Sequence, residues 1–387
     1  MNHPFVIKLP KVENNLDLKS SEKIIYTSII PYPLFALGFH SFIHRTRSAF
    51  GITKNLQTKT QFYYVVNPFE INILNYDDDI SKSTKKYLKV KDEIQSLDFY
   101  KIWETIFIFD IASEKNMEIC ILSNQNSEII ESSIKLYREK VIETSKKDSF
   151  YTTEKDINKL KNNSCDLIIG NSKQIIEDEN FIEQESYAVI LSEIIKILKN
   201  QKENGNAILE IYDTFTILTL KMIYILCSFY NEVSVYKPFV SRNSDADKYL
   251  ILKGFKSNKK IDATISILEE ILKLMNSNKY VSDILPDLIV PKEFIGVFKF
   301  INIKLVNNQQ IMVNEIIKYI KENNYFGDKY HAFRDKQIES KEFWINNFYP
   351  PSVSIYEKIK KQLDESYKSD QKKLNEECTH FIESLNQ

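Results

Sequence analysis

The sequence predicts an α/β fold: a mostly parallel sheet with helices on both faces and an antiparallel hairpin at one edge, between an N-terminal lead-in and a C-terminal helical region. Two observations carry this. From Met117 onward short apolar runs alternate with longer amphipathic ones, the pattern of strand and helix units that build a parallel sheet. The last two apolar runs, EVSVYKP and KYLILKGF, follow each other with no helix between them, so they pair as an antiparallel hairpin. On this pattern the chain divides into a lead-in over residues 1–95, an α/β domain over 96–256 and a helical region over 257–387.

Each element has its own warrant. The lead-in mixes apolar runs (YPLFALGFHSFI, QFYYVV) with a polar stretch from Asn75 to Lys85, NYDDDISKSTK, that reads as a surface loop. A helix begins near Leu97, where Tyr100, Trp103, Ile106 and Phe107 form an apolar stripe and leave Lys101 and Glu104 off it, on a solvated face. MEICILS is then a buried strand, EIIESSIKLYREKVIE a helix, CDLIIG a strand and YAVILSEIIKILKNQ a helix. NAILEIYD is the next strand and TFTILTLKMIYILCSFY the helix before the hairpin. After Phe255 strand signals fade. Ile265, Leu268, Ile271, Leu272 and Met275 mark one amphipathic helix, and Pro291 opens another that runs from Phe294 to about Ile320. The tail from Val353 to Leu385 carries a sparse apolar stripe, suited to packing on its own domain or to a protein partner.

Composition narrows the function. Lys and Arg number 52 against 53 Asp and Glu, a formal charge of −1, so any RNA contact must come from a local patch. The four cysteines, Cys120, Cys165, Cys227 and Cys378, show no CxxC, which argues for buried thiols in a reducing compartment and against a zinc site. The N-terminus has no signal-peptide pattern, and the longest apolar stretch, Phe215 to Tyr230, is broken by Thr216, Thr219 and Lys221. A soluble intracellular protein is expected. His40 and His44 lie four apart in an aromatic run that favours packing over metal, and no metal is expected. Only 7 Gly, 10 Pro and five Arg occur, beside abundant Lys, Ile and Asn, a usage that suits an AT-rich genome. No glycine stands between Gly51 and Gly170, which removes the usual means of bringing backbone close to a cofactor.

The segment from Lys237, KPFVSRNSDADKYLILKGF, resembles the FtsJ-like family of RNA 2′-O-ribose methyltransferases, which end their sheet with KP, SR, an acid, a base with Tyr, an apolar strand and GF. DFYKIWE (Asp98–Glu104), CDLIIGN (Cys165–Asn171) and NGNAILEIYD (Asn204–Asp213) resemble further blocks of that family in the same order. The lead-in and the helices after Phe255 are similar to the versions carried by large DNA viruses. The resemblance implies a Rossmann-like methyltransferase sheet, S-adenosylmethionine as cofactor and capped RNA as substrate.

It also implies a Lys-Asp-Lys-Glu tetrad that favours the ribose alkoxide. Carried over by position, the first lysine falls on Lys101 and the final acid on Asp247, while the aspartate falls on Asn171 and the central lysine on Glu210. A carboxylate where an alkoxide develops reverses the sign of the stabilisation, and codon bias does not account for it because an AT-rich genome supplies lysine freely. The glycine-rich cofactor turn is replaced by Ser123, Asn124, Gln125 and Asn126. The expectation is a degenerate member of the family, a pseudoenzyme that binds no cofactor. It would serve as a structural or regulatory subunit of a viral mRNA-capping or transcription assembly, in the host-cell cytoplasm or the virion, with its protein partner at the C-terminal helices. The alternatives are an active S-adenosylmethionine-dependent cap methyltransferase in which another base compensates for Glu210, and a non-catalytic RNA-binding module. Glu210 is expected near the carboxyl end of its strand, facing Asn171 and Asp247 across one cleft. Arg242 is expected to pair with a nearby carboxylate such as Asp245.

Overall fold

The computed structural model describes residues 5–33, 37–50, 64–71, 80–144, 149–154, 156–157, 162–275, 280–322, 326–349, 357 and 361. In chain order the elements are β1 (Phe5–Lys8), β2 (Ile24–Thr27), α1 (Leu37–Phe50), α2 (Ile80–Leu88), α3 (Leu97–Phe109), β3 (Met117–Leu122), α4 (Ser127–Lys140) and β4 (Ser149–Thr153). There follow β5 (Cys165–Gly170), α5 (Ile182–Glu185), α6 (Tyr187–Asn200), β6 (Gln201–Ile211), α7 (Ile217–Cys227), β7 (Tyr230–Lys237) and β8 (Lys248–Phe255). The chain then forms α8 (Ile261–Met275), β9 (Tyr280–Ile284), α9 (Lys292–Lys321) and α10 (Asp328–Phe348). Seven strands form one sheet in the order β1-β7-β8-β6-β5-β3-β4. Its β6, β5, β3 and β4 segment is parallel, and β8 runs antiparallel to both β6 and β7. This is the α/β architecture of a Rossmann-like methyltransferase sheet.

Burial explains the central strands. Cys120 and Ile168 pack toward α6 and α7, while Ile119, Ile121, Leu167, Ile169 and Ile208 pack toward α3 and α4, all at 0% exposure. Each such side chain contributes about 1.5–3 kcal/mol relative to an exposed one. Helix α7 is apolar on nearly every side because it is buried on nearly every side, and its one charge, Lys221, is bonded to Asp283 and to the Ile284 and Leu285 carbonyls.

Several expectations are corrected. The β7–β8 hairpin does not form the sheet edge, because β1 from the lead-in pairs antiparallel with β7 and covers it. Strand signals do not end at Phe255: β9 pairs with β2, two short strands that each depend on the other. The stretch Asn75–Lys85 is not all loop. Ile80, Thr84 and Leu88, four apart, form the buried stripe of α2. Helix α3 has no solvated face: Lys101 is 6% exposed and Glu104 0%. The side of α3 that lies off the apolar stripe is covered by α10 and by the turn after β7, whose Trp344 Nε1 and Phe239 N–H donate to Glu104 at 2.9 and 2.7 Å. Other elements also went unread, among them β4, whose SFYTT is too polar for a core strand, and α10, whose buried Trp344 and Phe348 are set in a charged sequence.

The expected helix from Phe294 to Ile320 is α9, opened after Pro291. Cys120, Cys165 and Cys227 are buried free thiols, whereas Cys378 and the tail from Val353 to Leu385 lie outside the described residues apart from 357 and 361. Among the described residues, no helix is long and apolar enough to cross a membrane.

Candidate active site

Adjacent strands set a row of polar side chains beneath α3. Gly170 pairs with Leu209, Glu210 with Tyr249 and Tyr249 with Tyr236, so Asn171, one residue past β5, continues the row of Glu210, Tyr249 and Tyr236. The Asn171 N–H donates to Leu122 O at 2.8 Å, which pins it beside the end of β3. Packing at Gly170 is close, since a Cβ would lie 2.8 Å from Leu209 Cδ1 and 3.0 Å from Glu193 Oε2 and would push those side chains aside. Helix α3 lays Lys101 over one end of this row, and Asp247 enters from the residue before β8.

The four positions matched to the tetrad converge in two pairs. Lys101 Nζ donates to Asp247 Oδ2 at 2.7 Å and stands 3.8 Å from Asp98, while Lys237 Nζ lies 3.4 Å from Asp247 Oδ1. Glu210, next to last in β6, accepts through Oε2 from Asn171 Nδ2 and from Lys173 Nζ. Its Oε1 and the Oδ1 of Asn171 are buried with no hydrogen-bond partner among the described residues. Glu210 thus sits near the carboxyl end of its strand, bonded to Asn171 and within electrostatic reach of Asp247.

Electrostatics separate the two acids. Burial raises the Glu210 pKa, and the cations Lys173 and Lys101 only partly oppose this, so the net shift is upward. Burial also acts to raise Asp247, but Lys101 and Lys237 overcome it and hold that carboxyl far below its ordinary range. Burial would lower Lys101, yet Asp247, Asp98 and Glu210 reverse the effect and raise it. Lys101 is therefore a locked ammonium in a buried ion pair. Glu193, which accepts from Ser172 N at 2.8 Å, is pushed up to about 8 by burial.

The segment Ser123–Asn126 occupies the switch point of the sheet, where β3 leads to β4 on one side and lies against β5 on the other. In open α/β sheets the ligand crevice lies at this point, beyond the carboxyl ends of the strands. Here it is bridged: Asn124 Nδ2 donates to Lys173 O at 2.8 Å, and Lys173 N donates back to Asn124 Oδ1 at 2.9 Å. Asn126 N–H donates to Ser123 Oγ at 3.1 Å, and Asn126 Nδ2 donates to Asp98 Oδ2 at 2.6 Å. Gln125 is exposed.

Sequence reasoning missed Lys173, although it lies two residues beyond Asn171. It also gave no role to Lys237, which stands in the quoted KP motif. Arg242 is a correction: its guanidinium binds Glu70 in two-pronged fashion, Nε at 2.8 and Nη2 at 2.9 Å, and lies over the Tyr64 ring, whereas Asp245 is 4.0 Å away. The segment 64–71 supplies this partner from 172 positions away. His40 packs edge-on against Tyr32 and Phe215 and lies 5.6 Å from the His44 ring.

No family model matches the chain. It is 27% identical over 367 residues to an uncharacterized protein of Acanthamoeba polyphaga mimivirus, 94% of each chain. Over 97 residues, 25% of this chain, it is 30% identical to cap-specific mRNA (nucleoside-2′-O-)-methyltransferase 1 of Dictyostelium discoideum. Over 165 residues, 41% of this chain, it is 25% identical to the protein of that name from Caenorhabditis elegans. These alignments span only 13% and 17% of the two methyltransferases. Fold and alignments together make this a methyltransferase-like protein. Its relationship is to the cap-specific mRNA 2′-O-methyltransferases and, along nearly its whole length, to the mimivirus protein.

Proposed function

We propose that the chain is a catalytically inactive methyltransferase-like protein, retained as a structural or regulatory subunit of a viral mRNA-capping or transcription assembly. One observation carries this reading: a buried carboxyl, Glu210, stands at the position that the family resemblance assigns to the central lysine, and it is held there by Asn171 and Lys173. A developing ribose alkoxide about 4 Å from an ionised carboxylate is opposed by about 4 kcal/mol at an effective dielectric near 20, on the order of a thousandfold in rate. A neutral Glu210 removes the repulsion but supplies no cation. The Asn124–Lys173 bridge supports the absence of a cofactor, because it lies across the crevice where one would enter. The mimivirus relative, matched along nearly its whole length, supports a viral source, and the cap-specific relatives suggest the assembly.

The test is S-adenosylmethionine binding by calorimetry, together with methyl transfer to capped RNA by the purified chain. Neither is expected. Transfer by this polypeptide alone would overturn the proposal.

A second reading is favoured by Lys173. Its ammonium on Glu210, beside the Lys101–Asp247 pair, gives two lysine–carboxylate pairs, so charges like those of the family tetrad are present on exchanged positions, with Lys237 and Asp98 alongside. An active enzyme of this kind would transfer methyl groups and lose that activity in Lys173→Gln with its fold intact.

A further inference from the structure

We propose that the outer edge of β4 is a docking site for an extended protein segment in which basic and apolar residues alternate. This goes beyond the question of methyl transfer and does not depend on it. β4 ends the sheet, and among the described residues no strand pairs with its outer side. Such an edge presents a row of N–H and C=O groups that an added strand can bond.

The two faces of β4 differ in chemistry. Ser149 and Tyr151 face α4, where they line an open pocket of about 510 Å³ together with Glu128, Glu131, Lys135 and Glu139. Phe150 points to the opposite face and is 71% exposed. The pocket is net acidic. Lys135 is already engaged by Glu131 and by the Tyr151 ring, 4.7 Å from its ammonium. Arg138 turns its guanidinium inward, onto Ala112 O at 2.6 Å. Among the described residues Glu128 has no ion-pair partner and Glu139 has only Lys140, at 3.9 Å.

A strand laid along β4 sends successive side chains to opposite faces of the sheet. Every second residue then projects over the pocket, where Glu128 and Glu139 favour Lys or Arg. The intervening residues lie beside Phe150, where an apolar side chain covers an exposed ring. Charge and period together specify the occupant, a protein segment rather than a nucleic acid, whose phosphates the carboxylates would repel.

The test titrates the full chain with a fluorescent octapeptide of alternating Lys and Val, and with its Glu and Val counterpart, at about 50 mM salt where screening is weak. Saturable binding of the Lys peptide alone is expected, with slowed amide exchange in β4. The double change Glu128→Lys and Glu139→Lys, and separately Phe150→Asp, should each weaken it by about tenfold or more, with circular dichroism verifying the fold. Equal binding of both peptides, unchanged affinity in the charge-reversed protein, binding without protection of β4, or no saturable binding would each overturn the proposal.

Discussion

Replacing Glu210 by lysine restores the side chain that the family resemblance assigns to this position, yet the surroundings in this protein are arranged to reject it. Glu210 is buried between two cations that act on it, Lys173 and Lys101. A lysine there would add a third ammonium, and each pair of like charges about 4 Å apart costs about 4 kcal/mol at an effective dielectric near 20. Lys173, with 24% of its side chain exposed, can swing toward water and relieve part of this. Lys101 cannot, because it is buried and bound to Asp247. Glu210→Lys should therefore destabilise the protein by about 3–5 kcal/mol, whereas Glu210→Gln, which keeps the shape and an acceptor oxygen, should cost about 1 kcal/mol. Urea denaturation at neutral pH measures both, and the lysine variant should also melt about 5 °C lower. Adding Asn171→Asp should recover part of the loss through a new buried ion pair, an interaction of about 1–3 kcal/mol in a double-mutant cycle. Equal stability of the lysine and glutamine variants would refute the reasoning, since it would mean that the site still accommodates the family's lysine.

Lys101→Met should cost about 3–5 kcal/mol in denaturant melts, because it leaves Asp247 buried without its closest cation. Stability should fall as pH rises from about 5 to 8. Burial pushes Glu104 and Glu183 up to about 7 and Glu193 up to about 8, so the folded state holds protons that the unfolded chain releases near 4.5. That stabilisation is complete below the unfolded value and is lost as pH climbs through the folded ones. Two groups act in the opposite sense: His40, which burial holds below its ordinary value, in the acid part of this window, and Lys248, pushed down to about 8 by burial, only above that pH. A stability curve that rises across this window, or one that Glu193→Gln does not flatten, would contradict the assignment. Asn124→Ala removes both bonds to the Lys173 backbone, and hydrogen exchange should show faster opening at Lys173 with a stability change of about 1 kcal/mol or less.

The central strands and helices were legible because their signal is local. MEICIL, CDLIIG and NAILEI are apolar on both faces, as strands covered by helices on both sides must be, and Ile265, Leu268 and Ile271 carry a helical period. The four positions that the resemblance matches to a tetrad could be named for a related reason: each lies at a fixed offset from such an element. β1, β2, β4 and β9 were not legible, since strands of four or five residues with mixed polarity acquire their pairing from partners elsewhere in the chain.

The linear order of residues therefore marks the central strands and helices, and puts a glutamate at position 210, where the family resemblance expects a lysine. Folding settles the charge balance around that acid. Lys173 reaches Glu210, Lys237 reaches Asp247, Arg242 reaches Glu70 and α10 seals Glu104 under α3, and none of these contacts leaves a periodic trace. The physical reason is range. Helix and strand periods arise between neighbours along the chain, whereas the protonation and pairing of a buried charge depend on whichever distant groups the fold brings within a few ångströms of it.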